Sequence, residues 1–233
     1  MKRQSLIIIF IILAVMPVVT FSQAKSSMKL GLKLSPNIGW MSPATKGYTS
    51  DGARMGATLG FISEFYFAEN YAFSTGLNFQ YLNGKLKYND SLLIENNTKM
   101  AYGEIFRKYN FLYLEIPLMI KMKTKTFGKV AYFGQIGFGT GFRIKATANE
   151  HFVPTTGDPV DQQYDFDRGT TLIRESVLVG IGCEYHIDES SRILIGISYS
   201  NSLNNILTGV NYSSNQIEKS PLNFAELNIG FLF

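Results

Sequence analysis

Four glutamates, Glu64, Glu115, Glu184 and Glu226, and seven cations, Lys29, Lys33, Lys121, Lys123, Arg143, Lys145 and Arg192, stand in stretches that alternate apolar and polar residues. All of them fall on the polar side of their stretch. Carboxylates and cations gathered on one face can relay an ion or a proton. They can also pair with one another and fill a space, because an unpaired buried charge is very costly. Hydrolytic chemistry has less to draw on, since it needs a base beside a nucleophile. The chain has two histidines, His151 and His186. They belong to opposite ends of their stretches and cannot serve one site, which leaves His151 with an acidic residue of its own loop. No Gly-x-Ser-x-Gly elbow occurs. Asp158, Asp161, Asp165 and Asp167 make an acidic run whose spacing does not match an EF-hand loop, so no metal or other cofactor is expected. Cys183 is the single cysteine, which excludes an intrachain disulfide, and it falls on an apolar face where it reads as packing.

The elements that must position these groups are strands. Apolar residues recur at every second position in eight stretches: Met28–Trp40, Ala57–Phe67, Tyr71–Tyr81, Leu112–Lys123, Tyr132–Lys145, Val177–His186, Arg192–Ser200 and Asn223–Phe233. In the last of these, Leu227, Ile229, Phe231 and Phe233 oppose Glu226, Asn228 and Gly230. Period-two alternation over about ten residues predicts strands long enough to cross a bilayer. The connections alternate in length. Short turns lie around Glu69-Asn70, Thr126-Phe127-Gly128 and Asp188-Glu189-Ser190, and long links run over 41–55, 83–109, 147–173 and 201–222. Short turns at one end and long loops at the other predict an even-numbered antiparallel barrel. The expectation is an all-β fold, an eight-stranded up-and-down antiparallel transmembrane β-barrel.

A soluble eight-stranded barrel also alternates, but with its apolar face inward. Here the polar face is rich in glycine and serine with scattered charges, which suits a crowded lumen better than a solvated exterior. Aromatic residues make up 14% of the chain, against 17% for charged ones, and they gather at the stretch ends. Trp40, Tyr81 and Tyr199 at the loop side, and Phe67, Tyr71 and Phe233 at the turn side, are the expected membrane-interface aromatics. The interior of eight strands is just filled by side chains. Glu64, Glu115, Glu184, Glu226, Lys121, Arg143 and Arg192 are therefore expected to form a charge network that plugs the lumen. Pro117 lacks the N–H that a closed sheet uses, so irregular hydrogen bonding or a bulge is expected beside it.

Lys2 and Arg3 precede an apolar run, Leu6–Val19, followed by Ser22 and Ala24. This reads as a cleavable signal peptide over residues 1–24, cut after Ser22 or Ala24, leaving one domain, 25–233. Export leaves the termini and the short turns expected on the periplasmic side and the long loops outside the cell. The net charge of +4 is too small to call for nucleic acid, and none is expected as a partner.

The run Tyr113-Leu114-Glu115-Ile116-Pro117-Leu118-Met119-Ile120-Lys121 resembles the signature strand of PorT-family outer-membrane β-barrel proteins. The glycine-rich stretch from Tyr132 to Gly139 and the run Tyr199–Ile206 are similar to that family as well, so the likeness spans nearly the whole mature chain. The resemblance implies an eight-stranded barrel in the outer membrane of a Gram-negative cell and, through the family's namesake, a link to type IX secretion. It supplies no catalytic residues. The expected function is that of a non-enzymatic structural or interaction protein that presents extracellular loops, with a role as an accessory of protein secretion. The alternatives are a lipid- or peptide-modifying enzyme and a narrow channel. Expected partners are outer-membrane lipid, the barrel-assembly machinery during insertion, and a secretion-system or surface-protein component. Lys85, Lys87, Lys99, Arg107 and Lys108 could meet lipopolysaccharide phosphates, or simply solvate their loop.

Overall fold

The computed structural model describes residues 28–94, 99–188 and 190–233. The expected signal peptide lies outside them. The elements in chain order are β1 (Met28–Met41), β2 (Thr49–Ser50), β3 (Arg54–Ala68), β4 (Tyr71–Ile94), β5 (Lys99–Lys123), β6 (Val130–Pro154), β7 (Val160–Asp165), a single 3-10 turn (Asp167–Gly169), β8 (Ile173–His186), β9 (Arg192–Ser202) and β10 (Leu222–Leu232). Eight of the strands close into a ring, β1-β3-β4-β5-β6-β8-β9-β10, in which β10 returns to pair with β1. All the pairings are antiparallel, with Leu34 opposite Ile229 at the seam. The fold is the expected up-and-down barrel.

Side chains follow the pleat. Leu34, Leu59 and Ile181 point outward and are 58–60% exposed, while Ser35 and Thr58, which adjoin Leu34 and Leu59, are fully buried, as is the inward-facing Glu184 on the strand of Ile181. Such a wall of exposed leucine, isoleucine and phenylalanine is unfavourable in water and favourable in hydrocarbon. With its lumen polar, the barrel inverts the arrangement of a soluble protein.

The inversion ends partway up the strands. β4, β5 and β6 run to 24, 25 and 25 residues, whereas β9 and β10 have 11 each. The link expected as a loop over 83–109 is instead strand over its described residues, and half of the 147–173 link is strand too. Within β4 the exposed Tyr81 is followed by the buried Leu82, and from there Leu82, Leu86 and Tyr88 point inward. β5 matches it with Ile105, Tyr109, Phe111 and Tyr113. The apolar phase has switched faces. Beyond the lipid-facing wall the outside meets water, so the inside becomes an ordinary apolar core. Met41, Tyr48, Phe152, Ile206, Leu222 and Phe224 complete this core, which stands over the loop end of the barrel as a crown. β2 and β7 flank it, pairing with β4 and β6.

Two irregularities interrupt the ladders. A register shift in the β5–β6 pairing sets Leu112 opposite Lys145 and Tyr113 opposite Arg143. This bulge leaves Ile144 and Lys145 both exposed, so Lys145 points away from the lumen where strict alternation placed it inside. Beside Pro117, the β4–β5 ladder skips from the Thr75–Leu118 pair to the Asn78–Glu115 pair. Thr75 fills the gap by donating its hydroxyl to the Pro117 carbonyl at 2.7 Å.

Candidate functional site

The lumen holds its polar groups in layers. At the turn end, the Lys121 ammonium donates to Glu64 Oε1 and to Glu184 Oε1, both at 2.5 Å. These carboxylates lie on β3 and β8, two strands away from β5 on either side. Ala72, directly opposite Lys121, and Ala131, directly opposite Glu184, leave the space for the lysine stem to cross. Glu184 Oε2 also takes Lys123 at 3.1 Å and Arg192 at 3.0 Å. Tyr66 joins the two carboxylate groups, donating to Glu64 at 2.6 Å and accepting from Lys123 at 2.6 Å. The Lys121 ammonium stands 4.2 Å from the Phe133 ring centroid, a cation–π contact that closes the layer from above.

The middle layer has two pairs. Lys33 meets Glu226 at 3.0 Å, with Ser198 donating to the same oxygen. The strand neighbours directly opposite Lys33 are Gly60 and Gly230. A Cβ at Gly60 would lie 2.8 Å from the lysine Cε and 2.4 Å from Asn78 Oδ1, so the lysine is accommodated only because the side chain beside it is absent. Glu115 accepts from Asn78 at 3.1 Å and Gln80 at 2.9 Å, with Arg174 3.5 Å away. Arg174 has no exposed surface; it donates to Ser200 at 2.7 Å and to the Leu222 carbonyl at 3.1 Å. Between these layers lies a cavity of about 60 Å³, large enough and polar enough to hold ordered water.

The third layer sits in the crown. Arg107 Nη2 meets Glu150 Oε2 at 2.5 Å, and its Nη1 stands 3.4 Å from Glu218 Oε1. Tyr164 donates to Glu150 at 3.0 Å and Tyr48 to Glu218 at 3.0 Å. Burial pushes the hydroxyls of Tyr48, Tyr88, Tyr109 and Tyr164 well above the usual phenol range, so all four stay neutral, and Tyr48 and Tyr164 donate to the carboxylates.

Six of the seven charged residues expected in the lumen thus point into it. Glu64, Glu184, Lys121 and Arg192 share the turn-end layer, and Glu115 and Glu226 belong to the middle one. Arg143 does not join them. Its guanidinium is spent at the loop end on Thr170 Oγ1 and the carbonyls of Asp167 and Thr170, which ties the 3-10 turn to β6. Arg174, Glu150 and Glu218 were outside the expected set. Arg174 lies three residues before the point where the alternation of its strand becomes apparent, and the other two belong to segments that read as loops. Phe67, Tyr71, Tyr81, Tyr199 and Phe233 all point outward and are at least 40% exposed, and Trp40 stacks on Tyr199 at 5.9 Å between centroids.

His151 and His186 lie at opposite ends of the barrel. His151 Nδ1 is 2.8 Å from Asp161 Oδ1 on the outer face of the crown. Among the described residues no serine, threonine or cysteine side chain hydrogen-bonds to it, and no cluster of three His, Cys, Asp or Glu side chains is disposed to hold a metal ion.

A family match agrees with this architecture. A family described as outer membrane protein beta-barrel domain matches residues 21–231. Among solved structures, Neisserial surface protein A is 10% identical with a TM-score of 0.47, covering 90% of this chain and 98% of that one. The attachment invasion locus protein Ail of Yersinia pestis, solved with the heparin analogue sucrose octasulfate, is 12% identical with a TM-score of 0.36, over 89% and 99% of the two chains. The outer membrane protein AlkL is 12% identical with a TM-score of 0.44, over 90% and 91%. No curated protein matches the sequence. From its sequence match and its closed, inverted barrel, the chain belongs to the outer-membrane β-barrel domain family.

Proposed function

We propose that this protein is a non-enzymatic structural or interaction protein of the outer membrane, in which a filled barrel anchors a rigid crown on the cell exterior. The observation that carries the reading is Lys121 held between Glu64 and Glu184, with the apolar crown stacked above. A lumen crossed by buried ion pairs and closed by packed tyrosine, leucine and phenylalanine argues against a channel. The long strands β4–β6 make the crown stiff, and binding groups on a rigid scaffold suit recognition. In this orientation the short turns and both termini face the periplasm. The resemblance of Tyr113–Lys121 to the PorT family supports a role as an accessory of protein secretion, with a secretion component or a surface protein as partner.

Planar-bilayer recording of the reconstituted protein tests the filled lumen. No steady conductance steps are expected, and their appearance would overturn it. Mild crosslinking on intact cells followed by purification tests the interaction role, which predicts a stoichiometric exported or secretion-linked partner. The enzymatic alternative rests on the His151–Asp161 pair; a change in outer-membrane lipid composition on H151A would favour it.

A further inference from the structure

The crown contains a cleft of about 370 Å³, within the range of sites that hold small ligands. Its walls bring together Asp90, Glu150, Glu218 and Arg107. Three carboxylates face one guanidinium, so the cleft carries two negative charges in excess. Asp90 is answered by the backbone N–H groups of Ser91 and Ser213, at 2.7 and 2.9 Å. Glu150 is answered by Arg107 and Tyr164.

Glu218 is not fully answered. Its Oε1 accepts from Tyr48 and makes a long contact with Arg107, while Oε2 has no hydrogen-bond partner although the residue is only 2% exposed. Oε2 lies against the cleft wall at Gly209, where an added Cβ would come within 2.5 Å of it. A buried carboxylate oxygen without a donor is costly, and a cation or an N–H donor entering the cleft would relieve that cost. With no metal-holding cluster among the described residues, the fitting partner is a cation that brings its own N–H donors. The remaining walls suit the rest of such a molecule. Tyr164, Phe166 and Tyr212 line the cleft, and aromatic faces attract both an alkyl stem and an ammonium head.

We propose that this cleft binds an organic primary ammonium, with the head on Glu218 and the alkyl stem along the aromatic wall. Two sources share that chemistry: a free di- or polyamine and the lysine side chain of a protein partner. The inference rests on the crown geometry. It depends on the proposed function only for access from outside the cell.

Calorimetric titration of the purified, refolded full chain with 1,5-diaminopentane tests it, with 1,5-pentanediol as the uncharged control. Saturable one-to-one binding of the diamine, and none of the diol, is expected. E218Q should weaken binding at least tenfold. Because E218Q alters a buried residue, V210W provides a second variant: Val210 lines the cleft and is half exposed, so the indole blocks the cleft without touching a buried charge. Absence of diamine binding to folded wild type, or binding unchanged in both variants, overturns the proposal. Tighter binding of spermidine than of the tripeptide Gly-Lys-Gly assigns a free polyamine, and the reverse order assigns a protein lysine. Binding by purified protein without binding of a dye-labelled diamine by intact cells would uphold the cleft and refute its outward orientation.

Discussion

Replacing Lys121 with methionine separates geometry from charge counting. The turn-end layer has three cations, Lys121, Lys123 and Arg192, and two carboxylates, Glu64 and Glu184. Counting alone says that K121M removes a surplus charge and should be neutral or stabilising. The structure says otherwise. Lys121 has no exposed surface, and it is the only ammonium or guanidinium within 4 Å of Glu64 among the described residues. Without it Glu64 keeps the Tyr66 hydroxyl at 2.6 Å and no cation, while Glu184 retains Lys123 and Arg192. Removing one partner of a buried pair costs about 3–5 kcal/mol, because the other charge is left buried. At an m-value of about 2–3 kcal/mol/M, the urea midpoint should fall by about 1–2.5 M. The assay is equilibrium unfolding in micelles, read by the fluorescence of Trp40, the single tryptophan. The double variant K121M/E64Q should recover at least half of the loss, since the stranded charge is then gone. A midpoint for K121M within about 0.3 M of wild type, under 1 kcal/mol at that slope, would refute the network as a packed, load-sharing layer.

Two further outcomes follow from the same picture. Leu59 is 58% exposed on the wall, and L59R should destabilise the barrel in lipid by about 2–4 kcal/mol, whereas an arginine at an ordinary water-facing site stays within about 0.5 kcal/mol; lipid-dependent unfolding midpoints decide between them. In the turn after β8, Asp188 accepts the N–H groups of Ser191 and Ser190, which hold its carboxyl down at about 2. A depressed folded pKa means that the turn is intact above the ordinary aspartate range and loosens as pH falls through about 2. The Asp188 carboxyl resonance should therefore titrate near 2 in NMR, and titration near 4 would remove the turn contacts from the account.

Alternation by itself determined the wall. Once Leu34, Leu59 and Ile181 share one face with every other apolar residue of their strands, that face must be buried in something. The glycine- and serine-rich opposite face is too small and too weakly charged to be the water-facing one. Strand number, closure and the polar lumen follow from that pattern, and so does the inward placement of Glu64, Glu115, Glu184 and Glu226. A period of two is a local property, legible residue by residue.

Tertiary structure decided whatever breaks the period or acts across strands. The bulge at Ile144 and Lys145 shifts the phase by one, which sends Lys145 outward and leaves Arg143 to the 3-10 turn. The change from Tyr81 to Leu82 moves the apolar residues of β4 to the inner face, and a linear reading takes two adjacent apolar residues for the end of a strand. Their inward direction becomes evident only when Phe111 and Tyr113 arrive from β5 to pack against them. The meeting of Lys121 with carboxylates two strands away on each side, and of Glu218 with Tyr48 170 residues earlier in the chain, depends on closure. Charge partners across a closed ring are set by register and by where alanine and glycine leave room, and neither is written in the spacing of any one strand.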